Sequence, residues 1–171
     1  MTTKRILKIM YIITWIIFIG LSLRAVGTVL AYIISFVNEG AVKDLYKEMN
    51  LLVYKQNSIT QYTIIVGYRL IQFSIQAYIA FLVTKLLSNL NIQRPFNTNA
   101  LKQMQKISYS LLSLWAIVVI HNFHVGFLEA STGISAKLLS SEFVYIVGIV
   151  YVFSLLFKRG IELQSESDLT I

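Results

Sequence analysis

Eight polar side chains interrupt otherwise apolar stretches of the sequence, and their types could bind a charged ligand. They are Arg24, Arg69, Gln72, Gln76, His121, His124, Glu142 and Tyr145. An ionisable group in hydrocarbon is costly, so each one predicts a partner or a function. Two guanidinium groups in a water-poor cleft would match a carboxylate or a phosphate. Glu142 is the expected counter-ion.

The spacing of these residues places four of them at one depth. Arg24, Arg69 and Glu142 each lie sixteen residues from a lysine that would mark one membrane face, and His121 lies fifteen from another. At the helical rise per residue, all four stand about 22–24 Å from that lysine plane. The pattern predicts a polar layer in the outer half of the membrane, enclosing an outward-facing basic pocket.

Three interpretations of the layer remain open at this point. Arg24, Arg69 and Glu142 could form an ion-pair network that fixes helix register, since a buried charge without a partner is destabilising. The layer could instead bind an anionic head group or a small anion. One arginine could also extend its side chain to the interface.

Helical periodicity predicts which faces turn inward. Gly20, Arg24 and Gly27 share one face of the first helix, where small residues would let a neighbouring backbone approach. Arg69, Gln72 and Gln76 form a polar stripe on the second, and such a stripe is not expected to face lipid.

His121 and His124 stand three residues apart in H-N-F-H, which is a weak metal signal without carboxylates at fixed spacing. Hydrogen bonding within the polar layer or a response to pH are the other interpretations. The sequence contains no phosphate-binding glycine loop and no nucleophile triad. We therefore expect no enzyme activity, no metal and no cofactor.

The elements that must position these residues are long helices. The chain has 171 residues, of which 56% are hydrophobic and 13% charged, with one proline and no cysteine. Such a composition predicts an all-α integral membrane four-helix bundle in one domain (1–171). The expected spans cover approximately 9–37, 60–84, 107–127 and 138–157, followed by a polar tail at 158–171.

The connections carry two further predictions. Between residues 38 and 58, Val42, Leu45 and Met49 recur at helical spacing among charged residues, which predicts a short amphipathic helix on the membrane surface in the first external loop. Asn97 is expected to cap the helix that begins near Thr98 and leads into the third span.

The distribution of basic residues predicts the orientation. Nine lysines and arginines flank the side that holds the N-terminus, and four flank the other. Cytoplasmic loops carry the excess, so both termini are predicted to lie in the cytoplasm. The basic residues flank apolar segments, and we expect no direct nucleic-acid binding.

Two stretches resemble a bacterial family of uncharacterised membrane proteins, DUF2975. They are the C-terminal phrase F-K-R-G-I-E-L-Q-S-E-S-D-L-T-I (157–171) and R-P-F-N-T-N-A-L-K-Q-M-Q-K-I-S (94–108). The second is similar to the family's "PF-T-x-E-N" entry to its third helix, with Asn97 in place of the threonine cap and Asn99 at the acidic position. The resemblance implies a small four-helix protein of the bacterial cytoplasmic (inner) membrane, often encoded beside a small helix-turn-helix regulator. It implies no catalytic residues.

The function expected from these features is that of a membrane-embedded sensor, regulatory or binding protein. Its expected partners are the lipid bilayer and either another membrane protein or a small cytoplasmic helix-turn-helix regulator. One alternative is a structural or accessory subunit of a larger membrane complex. A small transporter component is another, although the polar stripe gives way to the apolar run 80–83 toward the cytoplasmic side.

Overall fold

The computed structural model describes residues 3–42, 51–90, 97–134 and 138–169, and within these ranges the fold is all-α. Four long helices are joined by short connections, and two short helices stand in the first connection. In chain order they are α1 (Thr3–Ser35), α2 (Glu39–Val42), α3 (Leu51–Asn57), α4 (Ile59–Ser88), α5 (Thr98–Thr132) and α6 (Val144–Leu169).

All four long helices are long and apolar enough to cross a membrane: Thr3–Ser35, Ile59–Ser88, Thr98–Thr132 and Val144–Glu166. In the most apolar 18-residue stretch of α1, no residue is buried inside the protein. Such an apolar surface is unfavourable in water. It suits lipid, because lipid tails are as apolar as the side chains that contact them. The fold confirms the predicted four-helix membrane architecture.

The long helices pack in chain order, with α1 on α4, α4 on α5, and α5 on α6. The side chains of Tyr32 and Thr63 are hydrogen-bonded at 2.9 Å, and the rings of Phe18 and Phe81 lie 5.8 Å apart. These two contacts set α1 antiparallel to α4. Because α6 has its main contacts with α5, it forms one edge of the arrangement.

Residues at one end of the bundle form a compact apolar core, which we call the capped-end core. At this end α1 finishes, α4 begins and α5 finishes. The core comprises Ala31, Leu51, Tyr54, Tyr62, Ile65, Val66, Val125 and Leu128. Two of its members, Leu51 and Tyr54, come from α3 and are 1% and 2% exposed.

Within the described residues, the predicted helix in the first connection is present as α2 and α3. The side chains of Leu51 and Tyr54 in α3 face into the bundle, where they pack in the capped-end core with residues of α1, α4 and α5. Lys55 holds α3 there by donating to the Ser35 carbonyl at the end of α1 and to the Glu39 carboxylate at 2.7 Å. Leu45 and Met49 fall outside the described residues.

The predicted cap of α5 is confirmed, since the Asn97 side chain accepts a hydrogen bond from the Ala100 N–H at 2.8 Å. Other bounds differ from the prediction. α5 continues through residues expected to form a loop and ends at Gly133, whose φ of 71° closes the helix in the left-handed conformation. α6 begins six residues later than expected and continues through the predicted polar tail to Leu169.

Candidate functional site

Arg69 is the most unusual residue of the bundle, because it is a buried cation in the middle of α4. Its side chain is 8% exposed, and its Nε has no hydrogen-bond partner. Within the described ranges the ion pairs are Lys55 with Glu39 and Arg159 with Glu162, so no carboxylate compensates Arg69. A buried guanidinium without a partner is destabilising.

Two histidines of α5 face the same part of α4. His121 is 1% exposed, and Arg69 and His124 lie close enough to interact with it electrostatically. The Tyr68 ring stands edge-on to both imidazoles, with ring centroids 5.7 Å from His121 and 5.8 Å from His124. The interface between α4 and α5 therefore brings Arg69 and the two histidines together.

Hydrogen bonds fix the orientation of the histidines. His124 Nε2 lies 3.0 Å from Gln61 Oε1, and His121 Nδ1 lies 3.3 Å from Asn122 Oδ1. Asn122 also bonds both backbone groups of Leu139, donating from Nδ2 at 2.7 Å and accepting at Oδ1 at 2.8 Å. The segment before α6 is thereby attached next to His121.

Gln72 extends the group by one turn, on the same face of α4 as Tyr68. Its Oε1 is buried without a hydrogen-bond partner, and so is Nδ1 of His124. Arg69, Gln72, His121 and His124 thus combine a cation with unpartnered polar atoms, and we call these four residues the Arg69 cluster. The third member of the predicted stripe, Gln76, is half-buried.

The other predicted site residues do not join this cluster. Arg24 is exposed, although the antiparallel contacts of α1 and α4 put it about one helical turn from the depth of Arg69. Glu142 is exposed in the turn before α6, and Tyr145 is 77% exposed. The expected network of Arg24, Arg69 and Glu142 is not formed within the described residues.

The close backbone approach predicted at Gly20 and Gly27 of α1 is not found. A Cβ built on Gly20 or Gly27 meets no atom within 4 Å, so no neighbouring backbone approaches there. The buried residues of α1 are Thr28, Ala31 and Ser35. These residues follow Arg24 at i+4, i+7 and i+11 and so continue its helix face, but the side chain of Arg24 itself is exposed and does not join the cluster.

The predicted outward opening is closed along the helix axes. In α4, residues 62, 65 and 66 of the capped-end core lie between that end and Arg69, and in α5 residues 125 and 128 lie between that end and His121. A ligand would have to reach Arg69 from the side of the bundle or through a movement of this core.

Sequence reasoning missed three residues that support the cluster, namely Gln61, Tyr68 and Asn122. A signal for the first two was present, since Gln61, Tyr68 and Gln72 follow one another at i, i+7 and i+11 and so share a helix face. Asn122 stands inside the H-N-F-H motif. No group of three or more metal-ligating side chains occurs among the residues with described positions.

A chain of four long apolar helices that packs a polar cluster between two of them is a multi-pass helical membrane protein. It belongs to the DUF2975 family, described as a protein of unknown function, which matches residues 40–171. No curated protein and no solved structure matches the chain.

Proposed function

We propose that this protein is a membrane-embedded binding protein with a regulatory role in the bacterial cytoplasmic membrane, and that it acts without catalysis. The Arg69 cluster is its binding site, and the ligand carries negative charge. One observation carries the proposal: Arg69 is buried in a span with no carboxylate partner among the described residues. A bound anion would supply the missing charge.

The alternative explanation of a buried arginine is structural, and it makes the opposite prediction. An arginine paired inside the protein is needed for folding, and its loss costs about 3–5 kcal/mol. Arg69 instead lacks a described partner, so replacing it by an apolar residue of similar length removes an unfavourable buried charge. We expect Arg69→Met to be as stable as the wild type, or more stable, when no anion is added.

Thermal unfolding in mild detergent tests this proposal with inorganic phosphate as the first probe. Phosphate should raise the melting temperature of the wild type, because a ligand at 100 times its Kd stabilises by about 2.7 kcal/mol. Arg69→Met should lose that response. Arg24→Met is the matched control, since it removes the same charge from an exposed site on the neighbouring helix, and it should respond as the wild type does.

Two results would contradict the proposal. Arg69→Met could lose several kcal/mol without any anion, which would make Arg69 structural. Phosphate and other small anions, together with anionic lipid, could also shift the wild type and Arg69→Met equally. The regulatory part has its own readout: a strain carrying Arg69→Met should change transcription of neighbouring genes as a deletion strain does. Unchanged transcription in both strains would count against regulation.

A second candidate function, an accessory subunit of a larger membrane complex, is favoured by one feature of α6. An apolar groove of about 540 Å³ runs along this helix and is lined by Val144, Tyr145, Gly148, Ile149, Val152, Phe153 and Leu156. Most of these side chains are more than half exposed. Affinity purification in mild detergent followed by mass spectrometry distinguishes the two functions, because an accessory subunit should copurify with one stoichiometric partner.

A further inference from the structure

The unpartnered atoms of the Arg69 cluster include acceptors as well as donors. Arg69 Nε can only donate a hydrogen bond, whereas Gln72 Oε1 can only accept one, and both are buried and unpartnered. The two residues are three positions apart on α4, so their side chains are neighbours on the helix surface. A ligand that contacts one is within reach of the other.

His124 adds a second acceptor to the cluster. Its Nε2 faces the Oε1 of Gln61 at 3.0 Å, and an amide oxygen accepts hydrogen bonds. In the tautomer that donates from Nε2 to this oxygen, Nδ1 is an acceptor. This Nδ1 is also buried without a partner.

These acceptors restrict the chemistry of the ligand. A halide or a simple carboxylate would compensate Arg69 but would leave Gln72 Oε1 and His124 Nδ1 without a donor. A ligand without a donor gains nothing from these acceptors, whereas a ligand that donates to one of them gains a hydrogen bond in a buried site. An anion that carries its own O–H or N–H groups would satisfy both kinds of atom at once.

We infer that the Arg69 cluster binds an oxyanion that also donates hydrogen bonds, of the kind formed by a phosphate that bears a hydroxylated substituent. This inference rests on the proposed function, and it specifies the ligand class of that site. A phosphoglycerol head group of a lipid and a free hydroxylated phosphate share this chemistry. The closed capped-end core directs a ligand toward the side of the bundle, where either could enter.

Two matched ligand pairs test the inference on the full chain in mild detergent. The lipid pair is short-chain phosphatidylglycerol and phosphatidylmethanol, which have the same phosphodiester charge and differ in the free hydroxyls of the head group. The soluble pair is glycerol phosphate and methyl phosphate. Apparent Kd values come from the shift in melting temperature as each compound is titrated.

The hydroxylated member of one pair should bind the wild type about tenfold more tightly, which corresponds to one additional hydrogen bond. The pair that shows this preference identifies the source of the ligand. Gln72→Met should bring both members of that pair to nearly equal affinity. Gln76→Met is the matched control, since its half-buried glutamine has no unpartnered buried atom, and it should keep the tenfold preference.

The outcomes separate failure of this inference from failure of the proposed function. Equal binding of both members in both pairs, with Arg69→Met still abolishing it, overturns the hydrogen-bonding inference and leaves an anion site. A preference that survives unchanged in Gln72→Met also overturns it. If no compound shifts the wild type more than Arg69→Met, the proposed binding function fails. The wild-type ratios alone decide the matter if Gln72→Met does not fold.

Discussion

Asn122 connects the cluster to the last helix through a single side chain. Its amide makes two hydrogen bonds to the backbone of Leu139, at 2.7 and 2.8 Å, and also faces His121. Nearer α6, the carbonyls of Ser141 and Phe143 accept backbone hydrogen bonds from the first turn of that helix. Asn122 therefore holds the start of the segment, and α6 holds its end.

Replacing Asn122 by alanine should destabilise the protein by about 2 kcal/mol, because two hydrogen bonds are lost and each is worth about 1 kcal/mol. The measurement is the free energy of unfolding in mixed micelles. Asn99→Ala is the matched control, since Asn99 is exposed in the first turn of the same helix, and it should change stability by less than about 0.5 kcal/mol. Equal effects of the two changes would show that the bridge contributes nothing.

Tyr54 predicts a dependence of stability on alkaline pH. Burial raises the pKa of the Tyr54 phenol, and the nearby Glu129 carboxylate raises it further. A group whose pKa is raised by folding contributes stability that is fully present below its unfolded pKa of about 10 and is lost as pH increases beyond it. The protein should therefore become less stable above pH 10.

Tyr54→Phe should reduce that alkaline loss, while at pH 7 it should change stability by less than about 1 kcal/mol, because the buried hydroxyl has no hydrogen-bond partner to lose. Unfolding measured from pH 8 to pH 11 checks this. Tyr109→Phe, at a position 61% exposed, should leave the pH profile unchanged. An unaltered profile in Tyr54→Phe would assign the alkaline loss to other groups.

For single residues, the sequence predicts the surroundings correctly where the pattern within one helix determines them. The Asn97 cap follows from its own helix, and Arg69 is expected inside because it belongs to a polar stripe. Arg24 could not be placed in this way. It shares a helix face with the buried Thr28, Ala31 and Ser35, yet its own side chain is exposed, and sequence alone does not show where along that face the packing ends.

The helix ends provide an element-scale prediction at Gly133. Its φ of 71° lies in the left-handed region, and its N–H bonds the Glu129 carbonyl at 2.9 Å. Any residue with a Cβ is strained there, so Gly133→Ala should destabilise by about 1 kcal/mol. Thermal unfolding in detergent gives the difference.

Gly126 supplies the control, because the same substitution there should not destabilise the protein. It lies inside α5, and a Cβ there meets no atom within 4 Å. Gly126→Ala should therefore be neutral or stabilise by up to about 1 kcal/mol through helix propensity. Equal destabilisation by both substitutions would show that backbone conformation at Gly133 is not the cause.

Among the elements, the sequence predicts the presence and type of every long helix because their apolar stretches exceed the membrane thickness. The ends are less predictable. Hydropathy marks where lipid ends, whereas a helix continues as long as its backbone bonds are satisfied, as α6 does beyond Arg159. The inward turn of α3 depends on the core formed by α1, α4 and α5, which no local pattern encodes.

At the scale of the whole molecule, the prediction is the orientation in the membrane. The chain has no cysteine, so single cysteines can be introduced without removing native ones. Gln56→Cys in α3 and Ser165→Cys in α6 both place the thiol at exposed positions at opposite ends of the bundle. An impermeant maleimide applied to intact cells should label the first and not the second.

Labelling of Ser165→Cys in intact cells, with no labelling of Gln56→Cys, would reverse the predicted orientation. Labelling of both or neither would contradict a four-pass topology. Permeabilised cells serve as the control, since both variants should react there. This orientation follows from the count of basic residues, and the fold is compatible with either direction.

The arrangement of the helices was the part of the whole fold that sequence could predict least. Apolar side chains gain little by leaving lipid for a neighbouring helix, so hydropathy does not report which helices touch. The register of α1 against α4 puts Arg24 about one turn from the depth of Arg69, yet Arg24 is exposed and Arg69 is buried.

The uninterrupted course of α6 has a mechanical consequence. This helix runs without a break from Val144 to Leu169, and 26 residues span about 39 Å. It packs mainly against α5, and the segment that leads into it is hydrogen-bonded beside His121. A tilt of about 10° at that hinge would sweep the far end through about 7 Å, by the same helical geometry. A small rearrangement around Arg69 would thus displace the far end of α6, which lies at the opposite face of the membrane.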